Sequence, residues 1–285
     1  MSVVCSFEER VDTRMANYLY CQDDDFFKDF CKGTKQEIKQ EVTKIRNFLR
    51  CHIDGSSQVC NYKHSGSKNF GRLYCKGIQG LPKAFRGALC KGTTDIDLVN
   101  CHPSILLYVC KKHNIACPML EKYVQSRDDI LPDFMRECSI TRAHAKDCFL
   151  IATNDCKTSK LKYPFFNAYD GEMKKIQKNL MDVDEYEFIH KHVEDKERNK
   201  QGSFINLVMC YYENLILQDT IKFLQERGFE ICTLMFDGLM IYGHHYENQK
   251  LLDELAELIH TKWDYSFKYS YKTHDNTIHI PENFV

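Results

Sequence analysis

Apolar residues recur along this chain in two rhythms. Between Thr34 and Cys51, Ile38, Val42, Ile45, Phe48 and Leu49 fall at every third or fourth position, which lines one face of a helix. An N-terminal helical region therefore closes at the stretch HIDGSSQVCNYKHSGSKNFGR, whose Gly, Ser and Asn read as a linker. The chain is expected to divide there, into residues 1–56 and 57–285. In DIDLV the rhythm changes to two, with Asp95, Asp97 and Val99 on one face of a strand and Ile96 and Leu98 on the other. Pro103 then fits the first turn of a helix carrying Ile105, Leu106 and Val109. A helix is predicted over 139–153, capped by Ser139 or Thr141, with Arg142 and Lys146 on one face. A long helix from Ser203 to Arg227 stops at Gly228. Two apolar runs, ICTLMF and LMIY, meet at Asp237-Gly238 and predict a hairpin turning on those two residues. Leu251, Leu252, Leu255, Leu258 and Ile259 mark one more amphipathic helix, and KYSYKTHDNTIHIP a final strand or hairpin. Helices and strands mix irregularly and no repeat is visible, so the class is α+β, with an antiparallel sheet carrying helices on one face.

Composition narrows this little. The chain has 285 residues, 43% hydrophobic and 28% charged, which is globular usage and excludes a disordered or fibrous chain. No apolar run is long enough for a membrane helix, and the N-terminus has no signal-peptide pattern; the expectation is an intracellular protein with no membrane partner. The 15 cysteines are more informative. None forms a CxxC, and the total is odd, so they read as free thiols in a reducing compartment rather than as a zinc or disulfide framework. His190-x-His192 and His244-His245 have no cysteine or carboxylate at ligand spacing and read as loop residues. The aromatic-rich stretch from Trp263 to Tyr271 reads as core.

Charge is nearly balanced, at −1, but unevenly spread. Between Gly55 and Thr94 there is no Asp or Glu, while Lys63, Lys68, Arg72, Lys76, Lys83, Arg86 and Lys91 all fall there. Such a segment suits either a polyanion-binding surface or a solvated loop. Two carboxylates stand against apolar strands, where an unpaired charge is expensive: Asp97 in DIDLVNCHPSIL and Asp237 in TLMFDGLMIY. An Asp-Gly pair also marks an ordinary hairpin tip, and an Asp inside a strand wants a partner. Brought side by side, the two could hold a pair of Mg²⁺ ions for phosphoryl transfer.

The order GRLYCKGIQGLP, Arg86, DIDLVNCHPSIL, RAHAKDCFL, a long helix and FDGLMIY resembles the palm and fingers of family A DNA polymerases, and within them the transposon-viral branch of giant viruses and mobile elements. The resemblance runs from Gly71 to Pro281. It implies a palm-type antiparallel sheet with a helical fingers insertion, and a 1–56 region that is thumb-like or accessory. It implies that Asp97 and Asp237 are catalytic and ligate two Mg²⁺ ions, replaceable by Mn²⁺, with the Leu98 carbonyl as a third ligand. His102 would be a steric gate at the sugar, Arg142 and Lys146 would grip the incoming triphosphate, and Arg72, Gln79 and Arg86 would contact the primer-template backbone. The partners implied are primed DNA, dNTPs and a helicase or primase-helicase, in a cytoplasmic viral factory or the nucleus.

The chain departs from that pattern at two places. Leu150 and Asn154-Asp155 stand where an aromatic and Tyr-Gly are usual, with Phe149 one position early, and Gly238 stands where a second carboxylate usually follows Asp237. Glu213 or Asp95 could supply the missing acid. Three other functions remain consistent with these residues: a primase or RNA polymerase using NTPs, a catalytically silent primer-template-binding module, and a metal-dependent nuclease. His102 is equally suited to hydrogen bonding at a helix start.

Overall fold

The computed structural model describes residues 5–66, 68–155 and 161–284, and among them seven strands form two sheets. The first sheet contains β1 (Cys5–Glu9), β2 (Gln58–His64) and the two-residue β3 (Leu73–Tyr74), in that order and antiparallel. β1 buries Cys5, Phe7 and Glu9 and exposes the residues between. A carboxylate at an inward position hides this alternation from a hydrophobicity pattern. The second sheet contains β4 (Thr93–Leu98), β5 (Ile231–Leu234), β6 (Gly238–Tyr242) and β7 (Tyr269–Lys272) in the order β5-β6-β4-β7, every pairing antiparallel. β4 is thus a central strand flanked by segments far away in sequence.

Twelve α-helices accompany the strands in the described residues: α1 (Thr13–Tyr20), α2 (Asp24–Lys28), α3 (Lys35–Arg50), α4 (Lys83–Leu89), α5 (Cys101–Lys112), α6 (Pro118–Gln125), α7 (Arg127–Cys138), α8 (Arg142–Asn154), α9 (Pro164–Met181), α10 (Glu187–His190), α11 (Lys200–Glu226) and α12 (Gln249–Trp263). Their ends follow local chemistry. Thr34 and Glu37 cap α3 reciprocally: the Thr34 N–H donates to Glu37 Oε2 at 2.7 Å, and the Glu37 N–H donates to Thr34 Oγ1 at 3.3 Å. Thr141, rather than Ser139, caps α8, accepting from the His144 N–H at 3.2 Å. Pro103 lies in the first turn of α5, and Gly228, with φ of 79°, follows the end of α11.

The chain separates into two compact units. One contains residues 1–99 and 216–285 and holds both sheets; the other is the continuous segment 100–215. The boundary expected after residue 56 falls inside a shared core. Met15, Leu19, Phe27, Val42, Ile45 and Leu49 pack in one cluster with Ile78, Leu81, Phe85, Leu89 and Met240, and β1 pairs with β2 across it. The Gly/Ser-rich stretch lies within one unit and is not a linker: β2 runs through its middle, and its Gly and Ser residues mark the turns on either side of that strand. The second unit is helical, and its core is aromatic: Phe149 stacks on Tyr123 at 4.3 Å between ring centroids and meets Phe134, Phe166 and Tyr169. Among the described residues no helix is long and apolar enough to cross a membrane.

Candidate active site

The register of β4 and β6 brings the two acids singled out in the sequence together. Asp97 lies opposite Gly238, the residue after Asp237, and the Leu98 N–H donates to the Asp237 carbonyl at 3.4 Å. The turn that carries Asp237 lies one residue earlier than expected. The Met235 N–H donates to the Gly238 carbonyl at 2.8 Å, so Phe236 and Asp237 form the tip and Gly238 begins β6. The positive φ that a tight hairpin requires falls on Phe236, at 69°. For an aromatic residue this is strained backbone. Its ring is held by the Arg72 guanidinium 5.0 Å above it and by Tyr74 edge-on at 5.6 Å.

Gly238 also explains why no second acid follows Asp237. A Cβ there would sit 2.3 Å from the Ile96 carbonyl oxygen and 3.2 Å from Asp97 Oδ1. The close strand approach that presents Asp97 therefore excludes any side chain at position 238.

Because β4 alternates, Asp95 shares the face of Asp97, and the residues opposite them on β7 are Lys272 and Ser270. The Lys272 ammonium donates to Asp97 Oδ2 at 3.0 Å. Burial opposes its charge, but Asp97, Asp237 and Asp95 outweigh that and hold Lys272 above its ordinary value. Asp95 is 8% exposed, and its Oδ1 is buried with no hydrogen-bond partner among the described residues. Burial first, then the charges of Asp97 and Asp237, push its pKa up to about 7, against the pull of Lys272 and Arg86. Three acids and one ammonium thus share one neighbourhood, and an orphaned carboxylate oxygen there suits a further cation. Lys272 carries no sequence signal, since only the β4–β7 register makes it a neighbour of the acids.

The three residues of the basic segment differ in what they touch. Arg72 stacks on Phe236 at the hairpin tip. Arg86 is half-buried in α4, donates to the Leu81 carbonyl at 2.6 Å and acts electrostatically on Asp95. Gln79 is 6% exposed, and its amide serves the protein's own backbone: it accepts from the Cys75 N–H at 3.1 Å and donates to the carbonyls of Leu73 and Leu234 at 3.1 and 2.9 Å. It ties the segment carrying Arg72 to β5.

The remaining candidates belong to the second unit. His102, at the start of α5, lies 2.6 Å from Glu213 Oε2 on α11, with the Cys210 thiol beside it. Burial lowers its affinity for a proton, but hydrogen bonds with Cys210 and Glu213 and the Glu213 charge prevail and push it up to about 9. Glu213 is therefore the ion-pair partner of His102. Arg142 and Lys146 are one turn apart on α8, both largely exposed, and Arg142 donates to Asp128 at 2.9 Å. Phe149 is 2% exposed in the aromatic core, so it is not available to stack on a base; Leu150, 51% exposed, continues the Arg142–Lys146 stripe instead.

Comparison with known proteins gives two findings of different weight. No family model matches the chain. A Sputnik virophage protein, V13, whose name calls it a candidate helicase, is 28% identical over 220 residues, 72% of this chain and 28% of that protein. The chain therefore corresponds to under a third of that relative's length. Among solved structures, the POL domain of Pol1 from M. smegmatis, in complex with DNA primer-template and dNTP, matches 84% of this chain and 52% of its own with a TM-score of 0.46 and 10% identity. That likeness is too loose to carry any residue's role across.

Proposed function

We propose that this chain is a template-directed nucleotidyltransferase that extends a 3′-hydroxyl on primed DNA. The observation that carries the reading is the β4–β6 register, which sets Asp97 beside the strained Phe236-Asp237 tip with Gly238 packed against it. Strain at a hairpin tip is costly, and it tends to persist where the backbone must present a functional group. The orphaned Asp95 oxygen and the shared face of Asp95 and Asp97 suit divalent cations.

Asp97 and Asp237, with the Leu98 carbonyl, would hold Mg²⁺ or Mn²⁺. When bound, such ions acidify a 3′-hydroxyl and neutralise charge on departing pyrophosphate. The chain's own groups do the rest. Lys272 and Arg86 supply fixed positive charge beside the acids, Lys272 through its contact with Asp97 and Arg86 through its field at Asp95. Arg72 presents its guanidinium at the hairpin tip to a primer-template phosphate, and Gln79 holds that segment on β5. On the second unit, Arg142 and Lys146 bind the triphosphate, and His102, fixed by Glu213, sets the size allowed at the sugar. The virophage relative's name fits a chain that works beside, or within, a helicase-bearing replication protein.

The test is extension of a labelled primer on a DNA template with Mg²⁺ or Mn²⁺, giving dNTPs and NTPs separately. Template-dependent products that vanish in both Asp97→Asn and Asp237→Asn are expected, with dNTPs preferred. Preference for NTPs would make the chain a primase or RNA polymerase. Salt-sensitive binding of primed DNA without any extension would refute catalysis and leave a binding module.

A further inference from the structure

A second donor cluster lies in the first unit, outside the Asp97–Asp237 neighbourhood. Glu9 ends β1, Cys60 is on β2, and Cys75 follows β3; one ligand atom from each lies within 4.8 Å of the other two. Glu9 is fully buried and Cys60 nearly so, while Cys75 opens partly to solvent. The Glu9 carboxylate accepts from the Ile78 N–H at 2.7 Å and the Tyr62 hydroxyl at 3.3 Å, and the Cys75 thiol lies 3.9 Å away. Among the described residues none of the groups that touch it brings a positive charge. A buried carboxylate with hydrogen bonds but no cation carries most of its desolvation cost uncompensated.

Space has been kept for these donors. A Cβ on Gly77 would sit 2.2 Å from Glu9 Oε2 and 2.6 Å from Cys60 Sγ. The spacing also suits a tetrahedral ion: zinc bonds of about 2.3 Å to sulfur and about 2.0 Å to oxygen set neighbouring donors about 3.5–3.8 Å apart. The Cys75–Glu9 distance of 3.9 Å needs only a small contraction. The other buried triad, His102, Cys210 and Glu213, differs on this point, because His102 and Glu213 are closed on each other at 2.6 Å.

We propose that Glu9, Cys60 and Cys75 bind a borderline-soft divalent cation of the Zn²⁺ class, with a fourth position open to water on the Cys75 side. Binding displaces a proton from each thiol. The ion pins β1, β2 and the segment after β3, and so the basic segment between Arg72 and Gln79, to one point. This site is independent of the nucleotidyl-transfer reading.

The experiment uses the full chain, purified under reductant without a histidine tag, stripped of metal and titrated with Co²⁺ or Zn²⁺. One Co²⁺ per chain with thiolate-to-metal charge-transfer absorption is expected. Cys60→Ser should abolish that band, Glu9→Gln should weaken Co²⁺ binding at least about tenfold, and Cys210→Ser should leave it intact. Should Cys60→Ser fail to fold, alkylation mapping of the unaltered chain decides: Zn²⁺ must protect Cys60 and Cys75 and leave Cys210 reactive. The proposal is overturned by a missing band, by a band that survives Cys60→Ser, or by protection at other cysteines. A Cys60–Cys75 disulfide, seen under reductant as a mass lower by two hydrogens, overturns it as well.

Discussion

Gly238→Ala tests the strand contact on which the candidate active site depends. The added methyl group would meet the Ile96 carbonyl oxygen at 2.3 Å and the Asp97 Cα at 3.1 Å. Both obstacles are backbone of the central strand, so no side chain can swing aside, and β4 and β6 must part by about 1 Å to reach ordinary contact. The residue's φ is not positive, so the penalty comes from space alone. Overpacking of this kind costs about 2 kcal/mol, which in a chain of this size lowers the melting temperature by roughly 3 °C. The displacement falls on Asp97, whose Oδ1 is 3.2 Å from the added atom, so primer extension should fall with it. The control is Gly92→Ala, next to β4, where a Cβ meets nothing within 4 Å. Thermal melts of the three proteins by circular dichroism decide the matter: a Gly238→Ala midpoint indistinguishable from that of Gly92→Ala would refute the close approach.

Three further outcomes are expected. Lys272→Met removes the ammonium that competes for Asp97, so Mn²⁺ should bind several-fold more tightly in a spectroscopic titration; unchanged or weaker binding would sink the competition argument. The folded pKa of His102, about 9, lies above the ordinary value of about 6.5, so its charged pair with Glu213 contributes fully below about pH 6.5 and fades as pH rises through 9. His102→Gln should accordingly cost about 3 kcal/mol at pH 6 and clearly less at pH 9.5 in urea melts, and a pH-independent difference would contradict the pairing. Thr34→Ala removes the reciprocal cap of α3 and should cost about 1 kcal/mol in denaturant unfolding, while Thr34→Ser retains most of the stability.

The legible parts of this molecule were those written in neighbouring residues. The alternation of DIDLV gave β4 and the shared face of Asp95 and Asp97, and the spacing of Leu251 to Ile259 gave α12. The hairpin was legible but displaced by one residue, because Asp-Gly is the ordinary bearer of positive φ and an aromatic residue carries it instead. What depends on register was not legible. Lys272 meets Asp97 only once β7 is known to pair with β4, and Glu9 joins Cys60 and Cys75 only through the β1–β2 pairing, which spans about fifty positions. A search for close cysteine pairs passes over such a cluster. Phe149 was ambiguous for another reason: on a helix with apolar residues around much of its circumference, sequence does not say which face is buried.

The position of β4 has a consequence for how the chain is made. β4 ends at Leu98, but its partner β6 begins at Gly238 and β7 at Tyr269. At about 5–20 residues per second of synthesis, the roughly 140 residues in between delay the first pairing by about 7–28 s. During that interval the N-terminal sheet can close and the continuous 100–215 unit can emerge whole, while β4 waits with both edges unpaired, the state most open to mispairing. Yield of soluble protein in a cell should therefore depend on elongation rate and on chaperones that shield nascent chains.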